Sequence, residues 1–195
     1  MNIIAGRYKS RVLLSPPGEG TRPITGQVKK SLFGMLGEDL SNMVVLDLYC
    51  GTGTLGLESL SRGATHAYFA ERNGAVVELL RQNVATLGVG AQATIWNGDV
   101  MTGLGSWLAE VTAPVDVAFV DPPYATVREW SWDEAIASIF TPLAGKLDEG
   151  GTVVLRFGGE TVVPPELGPL KIARTRQYGD MQLAMLKLAG MRQTP

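Results

Sequence analysis

The chain has 195 residues, 45% of them hydrophobic and 18% charged, the size and balance of one globular domain with a small extension. No apolar run approaches the roughly 18 residues of a membrane-spanning helix, and the N-terminus MNIIAGRYKSR lacks the apolar stretch of a secretory signal, so a cytoplasmic protein is expected. A single cysteine, Cys50, excludes an internal disulfide, and with a single histidine, His66, leaves too few soft ligands for zinc; no metal is expected.

The net charge of −2 conceals an uneven distribution. Residues 1–30 hold Arg7, Lys9, Arg11, Arg22, Lys29 and Lys30 against Glu19 alone. Residues 171–195 hold Lys171, Arg174, Arg176, Lys187 and Arg192 against Asp180, so the stretch between is strongly acidic. Basic ends around an acidic body form a nucleic-acid patch if they meet in space, or else simply solubilise the ends. Charge alone leaves both readings open.

In chain order, residues 2–14 read as two short strands around a basic turn at Arg7–Arg11. A loop with Pro16, Pro17, Gly18, Gly20 and Pro23 as breakers follows. Val28, Leu32, Phe33 and Leu36 have helical spacing behind Thr25 as N-cap, closing an N-terminal extension over 1–40 ahead of a main domain over 41–190. The apolar run 43–48 predicts a strand buried on both faces, followed by a glycine turn and a helix to about Arg62. Strands are expected at 66–71, 91–96, 115–120 and 152–157. Helices are expected from Asn73 to Gly88, around 104–110 and over 132–143. The runs 171–177 and 181–188, joined by Tyr178-Gly179-Asp180, predict a hairpin and hence an antiparallel edge on a parallel sheet. The fold class is α/β, doubly wound.

Two motifs carry chemistry. Gly51, Gly53 and Gly56 satisfy G-x-G-x-x-G between a strand and a helix, and Glu71 ends the next strand, where a carboxylate accepts from ribose hydroxyls. Glycine lets backbone approach a ligand, and the helix N-terminus offers N–H donors. These features suit a nicotinamide dinucleotide or S-adenosylmethionine equally. Asp47, placed for an ammonium, and Asp99, placed for an adenine amine or else simply an N-cap, tilt the reading toward S-adenosylmethionine. The second motif is Asp121-Pro122-Pro123-Tyr124, at the end of the fourth strand. The Asp121 carboxylate and the Pro122 carbonyl present acceptors and Tyr124 an aromatic face, a trio suited to a planar base with an exocyclic amine. A rigid loop with a buried tyrosine is the plainer reading. Cys50 reads as a small packed residue and His66 as a surface one. Trp130 and Trp132 either shelter a base or pack the core.

With these residues in hand, the chain resembles the bacterial 16S ribosomal RNA guanine-N2 methyltransferases. Asp121–Tyr124 matches the amino-methyltransferase motif, Asn2–Lys9 resembles the family's opening strand, and Arg22-Pro23-Ile24-Thr25 with Val28 and Ser31–Phe33 resembles its helix entry. Asp47–Ala64 and Tyr178-Gly179-Asp180 continue the likeness; Gly26, Lys29-Lys30 and Gly34 depart from it. The resemblance implies a Rossmann-like, seven-stranded sheet whose last strand is antiparallel, S-adenosylmethionine as cofactor, and methylation of one guanine N2 during assembly of the 30S subunit. It implies Asp121, Pro122 and Tyr124 as the residues that hold the guanine. Asp47, Gly51, Gly53, Gly56, Glu71 and Asp99 would hold the cofactor, and Arg7, Lys9, Arg11, Arg22 and Lys29 the RNA. A monomer acting on 16S RNA or an assembling subunit is expected. The rivals are a DNA adenine-N6 methyltransferase, a protein-glutamine methyltransferase, a nicotinamide oxidoreductase and a silent RNA-binding assembly factor on the same fold.

Overall fold

A computed structural model describes residues 1–16 and 24–190. The chain divides into two compact units, Met1–Gly98 and Asp99–Pro195. In the first, α1 (Gly26–Leu36) precedes β1 (Val44–Leu48), α2 (Thr54–Ser61), β2 (His66–Glu71), α3 (Gly74–Leu87) and β3 (Ala93–Asn97). β1 pairs with β2 and β2 with β3, both in parallel. The caps are those the sequence predicts: the Thr25 hydroxyl accepts from Val28 N–H, the Asn73 side chain from Ala75 and Val76 N–H, and Gly88 ends α3 in the left-handed region. Leu46, Leu48, Leu57, Phe69 and Leu80 are fully buried, each burial contributing about 1.5–3 kcal/mol.

The second unit holds α4 (Val100–Trp107), β4 (Val115–Val120), α5 (Tyr124–Glu129), a helical run of α6 (Trp132–Ala135), a π-turn and α7 (Thr141–Ala144), and then β5 (Leu147–Gly158). Two-residue β6 (Glu166–Leu167), β7 (Leu170–Tyr178) and β8 (Met181–Leu188) complete it. β4 and β5 are parallel, and β8 runs antiparallel between β5 and β7. The architecture is the expected Rossmann-like α/β fold with an antiparallel last strand, plus short β6. Residues 2–14, expected as two short strands, instead form turns closed by a single antiparallel bridge between Asn2 and Val12. Two further differences have simple causes. Asp99 caps α4 and so starts it at Val100, earlier than its apolar residues suggest. The expected helix over 132–143 bulges into a π-turn at Ile136–Phe140.

The basic N-terminal arm is tied to α2. Ile4 and Ala5 N–H donate to Glu58 Oε2 and Oε1 at 2.9 and 3.0 Å, and Tyr8 N–H donates to Ser61 Oγ at 2.9 Å. A Cβ on Gly6 would lie 1.8 Å from the Ser61 carbonyl oxygen, so only glycine permits this approach. Glu58, fully buried, also pairs with Lys29 Nζ at 2.9 Å and Arg62 Nε at 3.0 Å. This corrects the expectation for Lys29 as an RNA contact. Its side chain is 2% exposed, and its ammonium also donates to the Asn2 carbonyl, so it faces inward as the counter-charge of Glu58. Arg7, Lys9 and Arg11 are exposed, while Arg22 lies outside the described residues.

Candidate active site

The glycine loop leaves the end of β1 with Tyr49, Gly51 and Gly53 all at positive φ. The three glycines divide the work. A Cβ on Gly53 would fall 2.4 Å from Leu80, and one on Gly56 2.3 Å from Phe69, so these two let α2 pack on the sheet. A Cβ on Gly51 would meet nothing, leaving that side of the loop open. Asp47, 1% exposed, accepts from Gly56 N–H at 2.7 Å and so braces the first turn of α2. Its carboxylate therefore has a backbone donor that spacing alone does not reveal. Buried Asn83 of α3 donates to the Thr52 carbonyl at 3.1 Å, while the Thr52 hydroxyl is buried and makes no hydrogen bond among the described residues.

Glu71, half-buried at the end of β2, accepts from Gly51 N–H at 3.2 Å through Oε2 and from Asn73 N–H at 2.8 Å through Oε1. Each oxygen keeps a lone pair for a further donor. The Glu71 carbonyl accepts from Asn97 Nδ2 and Gly98 N–H, which holds the strand end in place. The Cys50 thiol beside this loop is pushed well up, first by burial and then by the charges of Asp47 and Glu71. It is a packed thiol, as its place in the sequence suggests, and the two carboxylates of Asp47 and Glu71 beside it make the loop's field negative. That field suits a cationic ligand and opposes a pyrophosphate. An open cradle at Gly51, an orphaned Thr52 hydroxyl and a Glu71 carboxylate with spare acceptors fit a ribose-bearing, positively charged cofactor.

On the second unit, Asp99 is half-buried and its Oδ1 accepts from Met101 N–H at 2.8 Å, the N-cap geometry weighed for it above. Asp121 stands at the end of β4, its side chain 16% exposed. Arg156 of β5, 8% exposed, donates from Nε to Asp121 Oδ1. Among the described residues Asp121 makes no other hydrogen bond, so Oδ2 is left as an acceptor. Burial lifts the Asp121 carboxyl to about 6, against the downward pull of Arg156. Pro122 is buried; the Pro123 carbonyl accepts from Val127 N–H at 3.2 Å, so it serves α5 rather than a ligand. The Arg156 guanidinium carbon lies 5.6 Å from the centre of the Tyr124 ring, within cation–π range, and the ring edge stands over Gly158.

Arg156 is the residue the sequence reading missed. Its signal was present: one charge inside Val153-Val154-Leu155-Arg156-Phe157, a run otherwise apolar enough for a buried strand, requires a partner. Trp130 packs edge-on against Trp132 and Phe140, which favours core packing over base shelter. His66 bonds Thr94 Oγ1 at 2.9 Å and tilts against Tyr68. Among the described residues no cluster could hold a metal ion, and no helix is long and apolar enough to cross a membrane.

The family model described as “Conserved hypothetical protein 95” matches residues 1–187. “Putative rRNA methyltransferase YlbH” of Bacillus subtilis is 31% identical over 97% of this chain and 100% of its own length. “Ribosomal RNA small subunit methyltransferase D” of Escherichia coli K12 is 39% identical over 64% of this chain and 60% of its own. The solved “Putative methyltransferase yhhF from Escherichia coli” superposes with a TM-score of 0.79 at 30% identity, covering 98% of this chain and 99% of that one.

Proposed function

The chain belongs to the methyltransferase family described as Conserved hypothetical protein 95, with S-adenosylmethionine as cofactor, and on that premise we propose that it methylates the exocyclic N2 of a guanine in small-subunit ribosomal RNA. Bound to the first unit, the cofactor supplies a methyl already activated by a positively charged sulfur, so no covalent nucleophile is required of the protein. Glu71 accepts from the ribose hydroxyls, Gly51 leaves room for the ligand, and Asp47 holds the loop while adding to the field that favours a cation. Asp99 is the candidate acceptor for the adenine amine beside its capping bond.

The observation that carries the reading is the half-satisfied carboxylate of Asp121. An aromatic amine is a poor nucleophile because its lone pair is delocalised into the ring. Asp121 Oδ2 and the Pro122 carbonyl, accepting the two amine protons, turn that pair out of the ring plane toward the incoming methyl. Tyr124, fixed beside Arg156, stacks on the base. These residues act by positioning and by excluding water from the amine. Exposed Arg7, Lys9 and Arg11 contact RNA phosphates. The names of the relatives, which specify ribosomal RNA, support RNA over DNA as substrate.

The test is transfer of labelled methyl from S-adenosylmethionine to unmodified 30S subunits, naked 16S RNA and duplex DNA in parallel. N2-methylguanosine recovered from a ribosomal substrate is the expected result. Label confined to DNA adenine, or no label anywhere, defeats the proposal.

A further inference from the structure

We propose that Arg156 is the positioning residue of the amine site: its guanidinium, bonded through Nε to Asp121 Oδ1 and lying over the Tyr124 ring, holds the acceptor and the stacking ring in one fixed arrangement. The inference rests on the function proposed above, and the residues that carry it lie on three elements of one unit. Asp121 directly follows β4, Tyr124 begins α5, and Arg156 lies in β5, whose Leu155 is the register partner of Val120. Left alone, a short carboxylate at a strand end has two rotatable bonds and an aromatic ring on a six-residue helix has a loose anchor. A planar guanidinium that engages both removes that freedom before substrate arrives. The pairing of Nε with Oδ1 also decides which oxygen remains available, because it leaves Oδ2 as the acceptor. The same guanidinium also reaches the Met181 sulfur of β8 at 4.0 Å, a second point of contact for the charged group.

Charge is the second part of the role. A protonated carboxyl would present a hydrogen to the amine instead of a lone pair, and the site would repel the group it must hold. Burial pushes Asp121 toward that neutral form, and the charged group opposing the push is Arg156. The Tyr124 ring of α5 and the Met181 thioether of β8, which also face Arg156, carry no charge of their own. Arg156 therefore holds the carboxylate in the form and the orientation that accept an amine.

Two variants separate charge from geometry, read in the full-length protein. With carbon-13 at the aspartate carboxyls, and Asp121 assigned by the signal missing from Asp121→Asn, the wild-type group is expected to titrate at about 6. In Arg156→Met the midpoint rises by at least about one pH unit, and the acid limb of the methyl-transfer rate moves with it. A folded Arg156→Met protein with an unmoved midpoint overturns the proposal, as does a moved carboxyl with an unmoved acid limb. Arg156→Lys keeps a positive charge without the planar fork. It is expected to lower kcat about tenfold or more with little change in cofactor affinity. Wild-type kcat in Arg156→Lys overturns the geometric half, even if the methionine variant fails to fold. The titration uses neither RNA nor cofactor, so it judges the pair separately; absence of ribosomal RNA methylation by the wild type defeats the function proposed above instead.

Discussion

Glu58 and Asp121 are both carboxylates drawn out of water and paired with an arginine, and they differ in what is left over. Glu58 is saturated: Lys29, Arg62 and the N–H groups of Ile4 and Ala5 occupy both oxygens in a fully buried site. Among the described residues Asp121 has a single partner, and it remains partly open to solvent. The first arrangement fastens the N-terminal arm and α1 to α2 and has nothing to offer a ligand. The second carries an unmet acceptor beside an aromatic ring, and burial holds its carboxyl at about 6. The count of partners on a buried charge, more than its burial, separates a structural node from a reactive one.

Breaking the saturated node has the largest expected effect. Glu58→Ala strands two buried cations and two backbone donors and should cost about 3–5 kcal/mol, read as a lower denaturation midpoint. A change below 1 kcal/mol would show that the node is not what fastens the arm. The open carboxylate should fail in the opposite way. Asp121→Ala should reduce methyl transfer by at least about 100-fold while isothermal titration finds cofactor affinity close to wild type. Lost cofactor affinity would place Asp121 in the wrong role.

Changing pH sharpens the contrast without a mutation. Methyl transfer should fall as pH drops through about 6, where Asp121 takes up a proton. Because its folded-state value lies above the ordinary 3.8, the unfolded chain releases that proton first. Ionising Asp121 therefore opposes folding, and its contribution makes stability decline as pH rises from about 4 to about 6. A rate profile flat from pH 5 to 8 would remove Asp121 as the acceptor. At the cofactor loop, Glu71→Ala removes charge-assisted hydrogen bonds and should weaken S-adenosylmethionine binding by about ten-fold or more. Unchanged affinity would take Glu71 out of the ribose role.

The smallest effect compares neighbours in sequence. Lys30 is exposed and Lys29 buried. Arg7→Ala, Arg11→Ala and Lys30→Ala should each lower the salt slope of RNA binding by roughly 0.7–0.9 if the side chain neutralises one phosphate. Lys29→Met should leave the slope unchanged and lower stability. A slope that responds to Lys29 and ignores Arg7 would invert the assignment.

Much of this molecule is legible in its residues. Strands at His66–Glu71 and Val115–Val120 end where their hydrophobic patterns end, and Thr25, Asn73 and Gly88 cap their helices as side-chain type predicts. These features rest on forces that act within one turn or one pleat. Legibility fails where glycine-rich composition blurs a helix boundary, as in Val100–Trp107, expected around 104–110, and where one charge has competing partners. Asp99 reads as ligand or cap because a capping oxygen keeps acceptor capacity.

The sequence by itself determined the order of strands and helices, the glycine turn with its acid 20 residues on, and the Asp-Pro-Pro-Tyr element at a strand end, because spacing and backbone restriction operate over a few residues. The tertiary structure alone decided that Lys29 turns inward while Lys30 turns out, that Gly53 and Gly56 serve packing, and that Arg156 meets Asp121. Those outcomes depend on partners 29, 54 and 35 positions apart in the chain, Lys29 with Glu58, Ile4 with Glu58 and Arg156 with Asp121. A buried charge must be answered by whatever the fold brings beside it, and only the folded chain says what that is.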